Sequence, residues 1–402
     1  MLSKLNFLFF ALFTLSLTAV EFSYDGVHED LFLPDKKGPH PVVITLTGSN
    51  GGLSNKRAEE LSEHGFAGLA LAYFNYKDLP EKLSEIPLEY FEKAIAYIDQ
   101  HPELDANNVG IYGVSRGGEL ALILASWFPE KFHAIVATAP SNVVIGTRDN
   151  TPSWTYKGKE LRPPAHVDSS PLIGGDQQNP VKTKAMFTKT PFCQESAIPV
   201  ENITSKVLLI TGGDDNVWPS SLFANELKKR LNYCTHHNYP KAGHSINIPT
   251  SDASDPLYFH PMAKKWFHTG GTPQENQKAS EESFREIINF LSKELIMDRP
   301  DKLYKITTPE NWEASQSQDT LSLEPQDITN GFIHFSREDQ VDYVLDRFYK
   351  DKPYVVLVID PNLLKGRLVY EYNSKKTDKY YHIYDGSIPL DAVTEVKASI
   401  KK

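Results

Sequence analysis

A serine, an aspartate and a histidine, residue types that can act together in covalent catalysis, each follow a strand-like run of the chain. Ser115 lies in the segment GVSRGG, Asp215 in GGDDN and His244 in KAGHS. A serine hydroxyl is a weak nucleophile unless a histidine accepts its proton and an acid orients that histidine. We therefore expect Ser115, His244 and Asp215 to act as a catalytic triad.

The segment around Ser115 has the features of a nucleophile elbow. It follows an apolar run at 109–112 and opens a strongly apolar, helix-like run at 120–127. A Gly-x-Ser-x-Gly motif between a strand and a helix allows the two elements to pass closely and exposes the serine hydroxyl. The motif alone also fits an ordinary turn with a surface serine, so its context and its downstream partners decide between the two interpretations.

Alternatives exist for the acid and the base. Asp214 precedes Asp215 directly, and an aspartate pair before a helix also fits a simple N-cap. Asp215 is preferred because its spacing from Gly212 and to Pro219 matches the acid loop of many such enzymes. His244 stands on a loop after a small residue, whereas His236 and His237 lie within a strand-like run.

An oxyanion hole needs backbone N–H groups that point at the developing negative charge. The residue after the nucleophile, Arg116, supplies one such group, and the turn after the run at 42–47 should supply the second. In that turn the N–H of Ser49 or of Asn50 is the candidate. This chemistry requires no cofactor and no metal.

The elements that must position these residues alternate between strands and helices. Strands alternating with helices predict a mostly parallel sheet covered on both faces, a doubly wound α/β-hydrolase fold. The predicted strands lie at 42–47, 66–73, 109–112, 134–139, 207–211 and 236–239, with helices at 56–63, 87–98, 120–127, 220–231 and 284–295.

The interval 141–204 interrupts this alternation and is rich in proline, glycine and polar residues with embedded large aromatics. We interpret it as a cap over the substrate, with a long disordered loop as the alternative. Trp154 and Tyr156 are its candidate substrate-binding residues. Lys157, Lys159 and Arg162 could meet the phosphates of a phosphorylated substrate, although a solvated charged surface explains them equally well.

Composition excludes some classes of partner. The 402 residues carry a net charge of -10 without a block of lysine or arginine, so no nucleic-acid partner is expected. The two cysteines, Cys193 and Cys234, lack the spacing of metal ligands and leave one disulfide or two free thiols open.

The first twenty residues resemble a secretory signal peptide. Lys4 precedes an apolar segment that ends near Val20 and is shorter than a membrane span. We therefore expect an exported, periplasmic or secreted protein without a stable membrane span in the mature chain. The alternatives are an uncleaved anchor or a cytoplasmic location.

Several motifs within 40–295 resemble the catalytic domain of the acyl-CoA thioesterase and bile acid-CoA:amino acid N-acyltransferase family, a dienelactone-hydrolase-like branch of the α/β-hydrolases. They are GSNGGL at 48–53, ALAYFNY at 70–76, LEYF at 88–91, GVSRGGEL at 113–120, YKG at 156–158, DDNVW at 214–218 and AGH at 242–244.

This resemblance implies cleavage of fatty acyl-CoA thioesters, with Ser115, Asp215 and His244 matching the family's triad. Members that transfer acyl groups to glycine or taurine use cysteine, so serine indicates water as the acceptor. The eukaryotic members carry a β-sandwich before the catalytic domain, and only about twenty residues follow the leader here. An exported protein would also meet little acyl-CoA. An esterase acting on oxygen esters, an acyltransferase and a binding protein acting through its C-terminal domain are the alternatives.

The pattern changes after 298, and 299–402 is predicted to be a small α+β domain that follows a hydrolase domain at 21–298. Its segments GFIHFS and HIY resemble a mostly bacterial family of unknown function whose fold is similar to that of ADP-ribosyltransferases. Some of its polar side chains could line a pocket or pack in a small core. These residues are Tyr304, His334, Ser336, Glu371 and His382.

Overall fold

The computed structural model describes residues 20–24, 26–147, 151–165, 167–168, 174–187, 189–249, 254–296, 300–350, 352–373 and 378–399. The predicted signal peptide therefore lies almost entirely outside the described residues. Among the helices that are described, none combines the length and apolar character needed to cross a bilayer.

The larger part of the chain is built on one eight-stranded sheet with the strand order β1-β2-β4-β3-β6-β7-β10-β11. The strands β1 and β2 pair antiparallel, as do β2 and β4, and every later neighbour is parallel. Their bounds are β1 Val20–Tyr24, β2 Val27–Phe32, β3 His40–Leu46, β4 Ala67–Ala72, β6 Leu104–Val114, β7 Ala134–Thr138, β10 Lys206–Gly212 and β11 Cys234–Tyr239.

Helices cover both faces of this sheet, as the alternating pattern predicted. The apolar faces of α2, α3 and α4 pack on one side, and those of α1 and α5 on the other. Successive strand residues point to opposite sides, so Ile44 joins the first core and Val43 the second. The helices are α1 Asn55–Glu63, α2 Glu89–Gln100, α3 Arg116–Trp127, α4 Ser220–Lys228 and α5 Pro273–Leu295.

Two further pieces of structure lie outside the main sheet. The interval between β7 and β10 contains short strands and single helical turns, and β8 Trp154–Tyr156 pairs with both β5 Ile86–Pro87 and β9 Lys159–Glu160. A hairpin of β12 Leu257–His260 and β13 Lys265–His268 follows β11 and was not predicted from the sequence.

A separate small domain with two three-stranded antiparallel sheets forms the C-terminal part, in agreement with the predicted α+β character. One sheet has the order β14-β16-β19 and the other β15-β18-β17. The strands are β14 Leu303–Thr307, β15 Phe332–Phe335, β16 Tyr354–Ile359, β17 Lys365–Tyr372, β18 Lys379–Ser387 and β19 Val393–Ser399, and the helices are α6 Pro309–Ser315, α7 Pro325–Asn330 and α8 Glu338–Phe348.

Candidate active site

Ser115 occupies a tight turn between β6 and α3, with φ 58° and ψ −122°. Non-glycine residues rarely adopt this region, so the surrounding backbone must enforce it. A Cβ at Gly113 would lie 2.0 Å from the carbonyl oxygen of Gly117, and one at Gly117 would lie 2.3 Å from that of Thr47. The glycines on either side of Ser115 are therefore required by the close passage of strand and helix.

A buried ion pair lies next to the Ser115 turn. Arg116 Nη1 lies 2.6 Å from Glu119 Oε2, and the Glu119 side chain is completely buried. Glu119 Oε1 also accepts hydrogen bonds from the Ile145 N–H and the Trp154 indole N–H. Burial raises the pKa of the Glu119 carboxyl, and the Arg116 guanidinium opposes this shift by favouring the charged form. The pair fastens the start of the predicted cap to the nucleophile helix.

Replacing Glu119 by glutamine leaves the buried Arg116 guanidinium without a counter-charge, and we expect the free energy of unfolding to fall by about 3 kcal/mol. Urea unfolding followed by tryptophan fluorescence measures this change. Glu226→Gln is the matched control, because its partner Lys229 is also three residues away, at the C-terminal end of α4, but is 67% exposed. The control should lose at most about 0.5 kcal/mol, and equal losses in both variants would contradict the assigned role of the buried pair.

Asp215 and His244 meet where β10 and β11 end. His244 Nδ1 lies 2.8 Å from Asp215 Oδ2, and the carboxylate is 1% exposed. Asp215 Oδ1 accepts the backbone N–H groups of Val217 and Trp218 at 2.8 and 3.2 Å. With the Nδ1 proton donated to Asp215, the Nε2 lone pair of His244 is available to accept a proton.

Asp214 has a different environment from its neighbour. Its Oδ2 accepts the N–H of Gly271 at 2.9 Å, and its own N–H donates to the Ala242 carbonyl. Of the two carboxylates, the structure therefore brings Asp215 to the imidazole, while Asp214 fastens the acid loop to the segment before α5.

The loop that carries His244 is held by hydrogen bonds to Thr269 and to Arg57. The backbone N–H of His244 donates to the Thr269 carbonyl at 2.8 Å. Farther along the loop, Asn247 Oδ1 accepts a hydrogen bond from Arg57 Nη2 at 2.9 Å, and Arg57 Nη1 donates to the Leu46 carbonyl at 3.0 Å. The guanidinium also lies 4.8 Å above the Tyr112 ring. Arg57 thus links the histidine loop to the strand before the proposed oxyanion turn.

The turn after β3 lies beside Ser115. A Cβ at Gly48 would lie 3.7 Å from Ser115 Oγ. Ser49 and Asn50 are exposed, the Asn50 carbonyl accepts the Asn75 side-chain amide at 2.7 Å, and the Ser49 hydroxyl lies 2.9 Å from His260 Nε2. The assignment of the oxyanion donors to Arg116 and to Ser49 or Asn50 remains a prediction that fits this placement.

The structure corrects the role expected for Trp154. Its side chain is fully buried in the main core, where the ring packs 5.8 Å from that of Tyr73 and the indole N–H reaches Glu119. It therefore supports the nucleophile helix instead of lining an open surface. Tyr156 is half-buried, packs against Phe128, and places its hydroxyl 3.3 Å from Glu92.

Three basic residues near Tyr156 are exposed, as expected for either phosphate contacts or a solvated surface. They are Lys157, Lys159 and Arg162. Cys193 and Cys234 are free thiols, and burial raises the pKa of Cys234 to about 11. Across the described part of the chain, no group of three or more potential metal-binding side chains occurs.

The structure brings two of the candidate residues of the C-terminal domain side by side and places the Tyr304 side chain elsewhere. His334 and His382 face each other across β15 and β18, with ring centroids 5.2 Å apart. Ser336 is buried and pairs with Tyr304 through two backbone hydrogen bonds, but the Tyr304 side chain packs in a separate apolar cluster against α8. The Glu371 side chain lies outside those described.

Sequence reasoning missed the buried charges of this domain. Asp327 accepts hydrogen bonds from Lys305 Nζ at 2.5 Å and from His334 Nδ1 at 2.7 Å. Burial would raise the pKa of Asp327, but the bonds from His334 and the Lys305 charge outweigh burial and hold it below its usual range. The cluster satisfies its own charges, which favours the alternative of a small polar core.

Residues 86–297, more than half of the chain, match the family described as BAAT / Acyl-CoA thioester hydrolase C terminal. The chain belongs to this family. Residues 306–396 match a second family, described as protein of unknown function (DUF952). Both matches confirm the resemblances seen in the sequence motifs.

Similar curated proteins include thioesterases and an acyltransferase. The chain is 34% identical over 283 residues to human acyl-coenzyme A thioesterase 1, with 67% of this chain and 63% of that protein covered. Human acyl-coenzyme A thioesterase 2, mitochondrial, is also 34% identical, with coverage of 67% and 55%. Mouse acyl-coenzyme A amino acid N-acyltransferase 1 is 34% identical over 277 residues, with coverage of 66% and 62%. The chain thus spans less than two thirds of the length of each.

Among solved structures, acylaminoacyl peptidase from Pyrococcus horikoshii is similar at 13% identity and a TM-score of 0.45, with 70% of this chain and 42% of that chain covered.

Proposed function

We propose that the chain is a serine hydrolase that cleaves acyl-CoA-like thioesters through Ser115, His244 and Asp215. The observation that carries the proposal is the 2.8 Å bond between His244 Nδ1 and Asp215 Oδ2, at the sheet edge where the strained Ser115 turn also lies. Membership of the family supports the thioester as substrate.

In the acylation step, Ser115 Oγ attacks the thioester carbonyl carbon while its proton passes to Nε2 of His244. Backbone N–H groups of Arg116 and of Ser49 or Asn50 stabilise the resulting oxyanion. The C–S bond then breaks, and His244 gives its proton to the leaving thiolate. The products are the free thiol and an acyl ester on Ser115.

In the deacylation step, a water molecule gives a proton to His244 as it attacks the Ser115 ester. Collapse of the second intermediate returns that proton to Ser115 Oγ and releases the carboxylic acid. Water is the proposed acceptor because this chain has serine where the family's amino acid-conjugating members, as the resemblance implies, have cysteine.

The test is turnover of an acyl-CoA series, with thiol release measured by a thiol-reactive dye, beside p-nitrophenyl esters of the same acyl chains. We expect kcat/KM for acyl-CoA of at least about 10⁴ M⁻¹s⁻¹. Turnover of the oxygen esters alone would refute the thioester substrate and support a carboxylesterase. Mass spectrometry after adding glycine or taurine should show the free acid, and an N-acyl product would support an acyltransferase.

We also propose that the chain divides into a hydrolase domain at 21–298, with a cap at 141–204, and a C-terminal domain at 299–402. A signal peptide at 1–20 is proposed to direct its export. The similarity of the C-terminal domain to a family of unknown function supports no particular activity for it.

A further inference from the structure

One side chain joins the hairpin of β12 and β13 to the turn beside the nucleophile. His260 Nε2 lies 2.9 Å from Ser49 Oγ. The Nδ1 atom of the same ring accepts the Ala263 backbone N–H at 3.3 Å, which assigns the ring proton to Nε2. His260 therefore donates its hydrogen bond to the Ser49 hydroxyl.

The same hairpin is bonded to the predicted cap. Val181 donates its N–H to the Trp266 carbonyl at 2.8 Å, and His268 donates to the Val181 carbonyl at 2.9 Å. Trp266 also donates to the Gly175 carbonyl at 2.9 Å. The cap segment and the oxyanion turn thus contact the two strands of one hairpin.

The hairpin also leads directly into the support of the catalytic histidine. The residue after β13 is Thr269, whose carbonyl accepts the N–H groups of His244 and Asn216 at 2.8 and 3.2 Å. A displacement of the hairpin would therefore change the positions of both the histidine loop and the oxyanion turn.

We propose that His260 is a positioning residue, which holds Ser49 so that the backbone N–H of the turn points at the oxyanion. This inference rests on the proposed function. Ser49 and Asn50 are exposed. The turn is also held by the Gly52 N–H, which donates to the Phe74 carbonyl at 3.0 Å, by the Gly51 N–H, which donates to the Gly48 carbonyl at 3.3 Å, and by the Asn75 amide on the Asn50 carbonyl. The bond from His260 differs from these in that it holds the Ser49 side chain itself.

Because the oxyanion is absent from the bound substrate and forms only in the transition states and tetrahedral intermediates, loss of this bond lowers kcat and leaves KM nearly unchanged. His260→Ala should lower kcat for acyl-CoA about fivefold, the size expected for one neutral hydrogen bond. His260→Gln keeps an N–H donor at similar reach and should restore kcat to within about twofold. Ser49→Ala should match His260→Ala, and the double variant should be no worse than either single one.

Phe259→Ala is the control for general damage to the hairpin, because it removes a 43% exposed ring from the same strand. It should keep wild-type kcat. Three results would each overturn the proposal. The first is a double variant whose loss of kcat equals the product of the losses in the two single variants, the second is a change in KM alone, and the third is a His260→Gln variant as slow as His260→Ala.

Hydrogen exchange on the full chain separates failure of this proposal from failure of the proposed function. Amides at 48–54 should exchange faster in His260→Ala than in wild type or His260→Gln, whether or not acyl-CoA is the substrate. Unchanged exchange would overturn the positioning role even in an active enzyme. Faster exchange in a chain without thioesterase activity would overturn only the proposed function.

Discussion

Ser115→Ala is expected to lower kcat for acyl-CoA hydrolysis on the order of 10⁵-fold or more, because no covalent intermediate can form without the hydroxyl. Measurement of thiol release under saturating substrate gives this ratio. Residual turnover should remain above the uncatalysed rate, since the oxyanion donors are left in place. The variant should fold normally, because alanine removes one atom from a turn whose geometry depends on the flanking glycines.

Labelling with a fluorophosphonate probe gives an independent measurement of the same residue. The wild-type chain should be labelled and Ser115→Ala should not. Ser126→Ala is the control, since Ser126 lies in the same helix with its hydroxyl bonded to the Leu122 carbonyl, and it should label like wild type. Labelling that persists in Ser115→Ala would refute the assigned nucleophile.

The second large effect separates two neighbouring carboxylates. Asp215→Asn is expected to lower kcat about 10⁴-fold, because an amide can donate to His244 Nδ1 and so favour the wrong tautomer. Asp214→Asn should change kcat by less than about threefold, because the amide oxygen can still accept the Gly271 N–H. Steady-state kinetics of the two variants, with near-ultraviolet circular dichroism to compare their folds, provides the test.

Equal losses in the two aspartate variants would indicate that the acid loop acts only through its shape. A large loss in Asp214→Asn alone would move the triad acid to that residue. Asp215 is 1% exposed, so Asp215→Asn is also expected to lower the free energy of unfolding. Measuring kcat well below the unfolding temperature of the variant separates this loss of stability from the loss of activity.

The sheet and the meeting of Asp215 with His244 could be predicted because both have local signals. The β-branched run of β3 and the apolar run of β6 indicate strands that are buried on both faces of the sheet. Parallel strands place their carboxyl ends at one edge, so the order of Ser115, Asp215 and His244 was enough to predict that the latter two meet.

Other features depend on contacts between distant residues and leave little trace in the sequence. The hairpin of β12 and β13 has no regular alternation, since its residues contact both the interval 141–204 and the turn after β3. Trp154 was expected in a binding surface because it is a large aromatic in a polar insertion. Its burial follows from Glu119, a charged residue on a strongly apolar helix that needs donors around it.

The backbone conformation of Ser115 lowers the stability of the fold at the residue that the proposed function needs. With φ 58° and ψ −122°, this residue occupies a region that glycine adopts without the steric cost a Cβ brings. The residue best suited to the fold at 115 is therefore glycine, which has no nucleophile. The chain retains a local cost on the order of 1 kcal/mol or more to present the hydroxyl, and adaptation toward greater stability alone would select against the reactive residue.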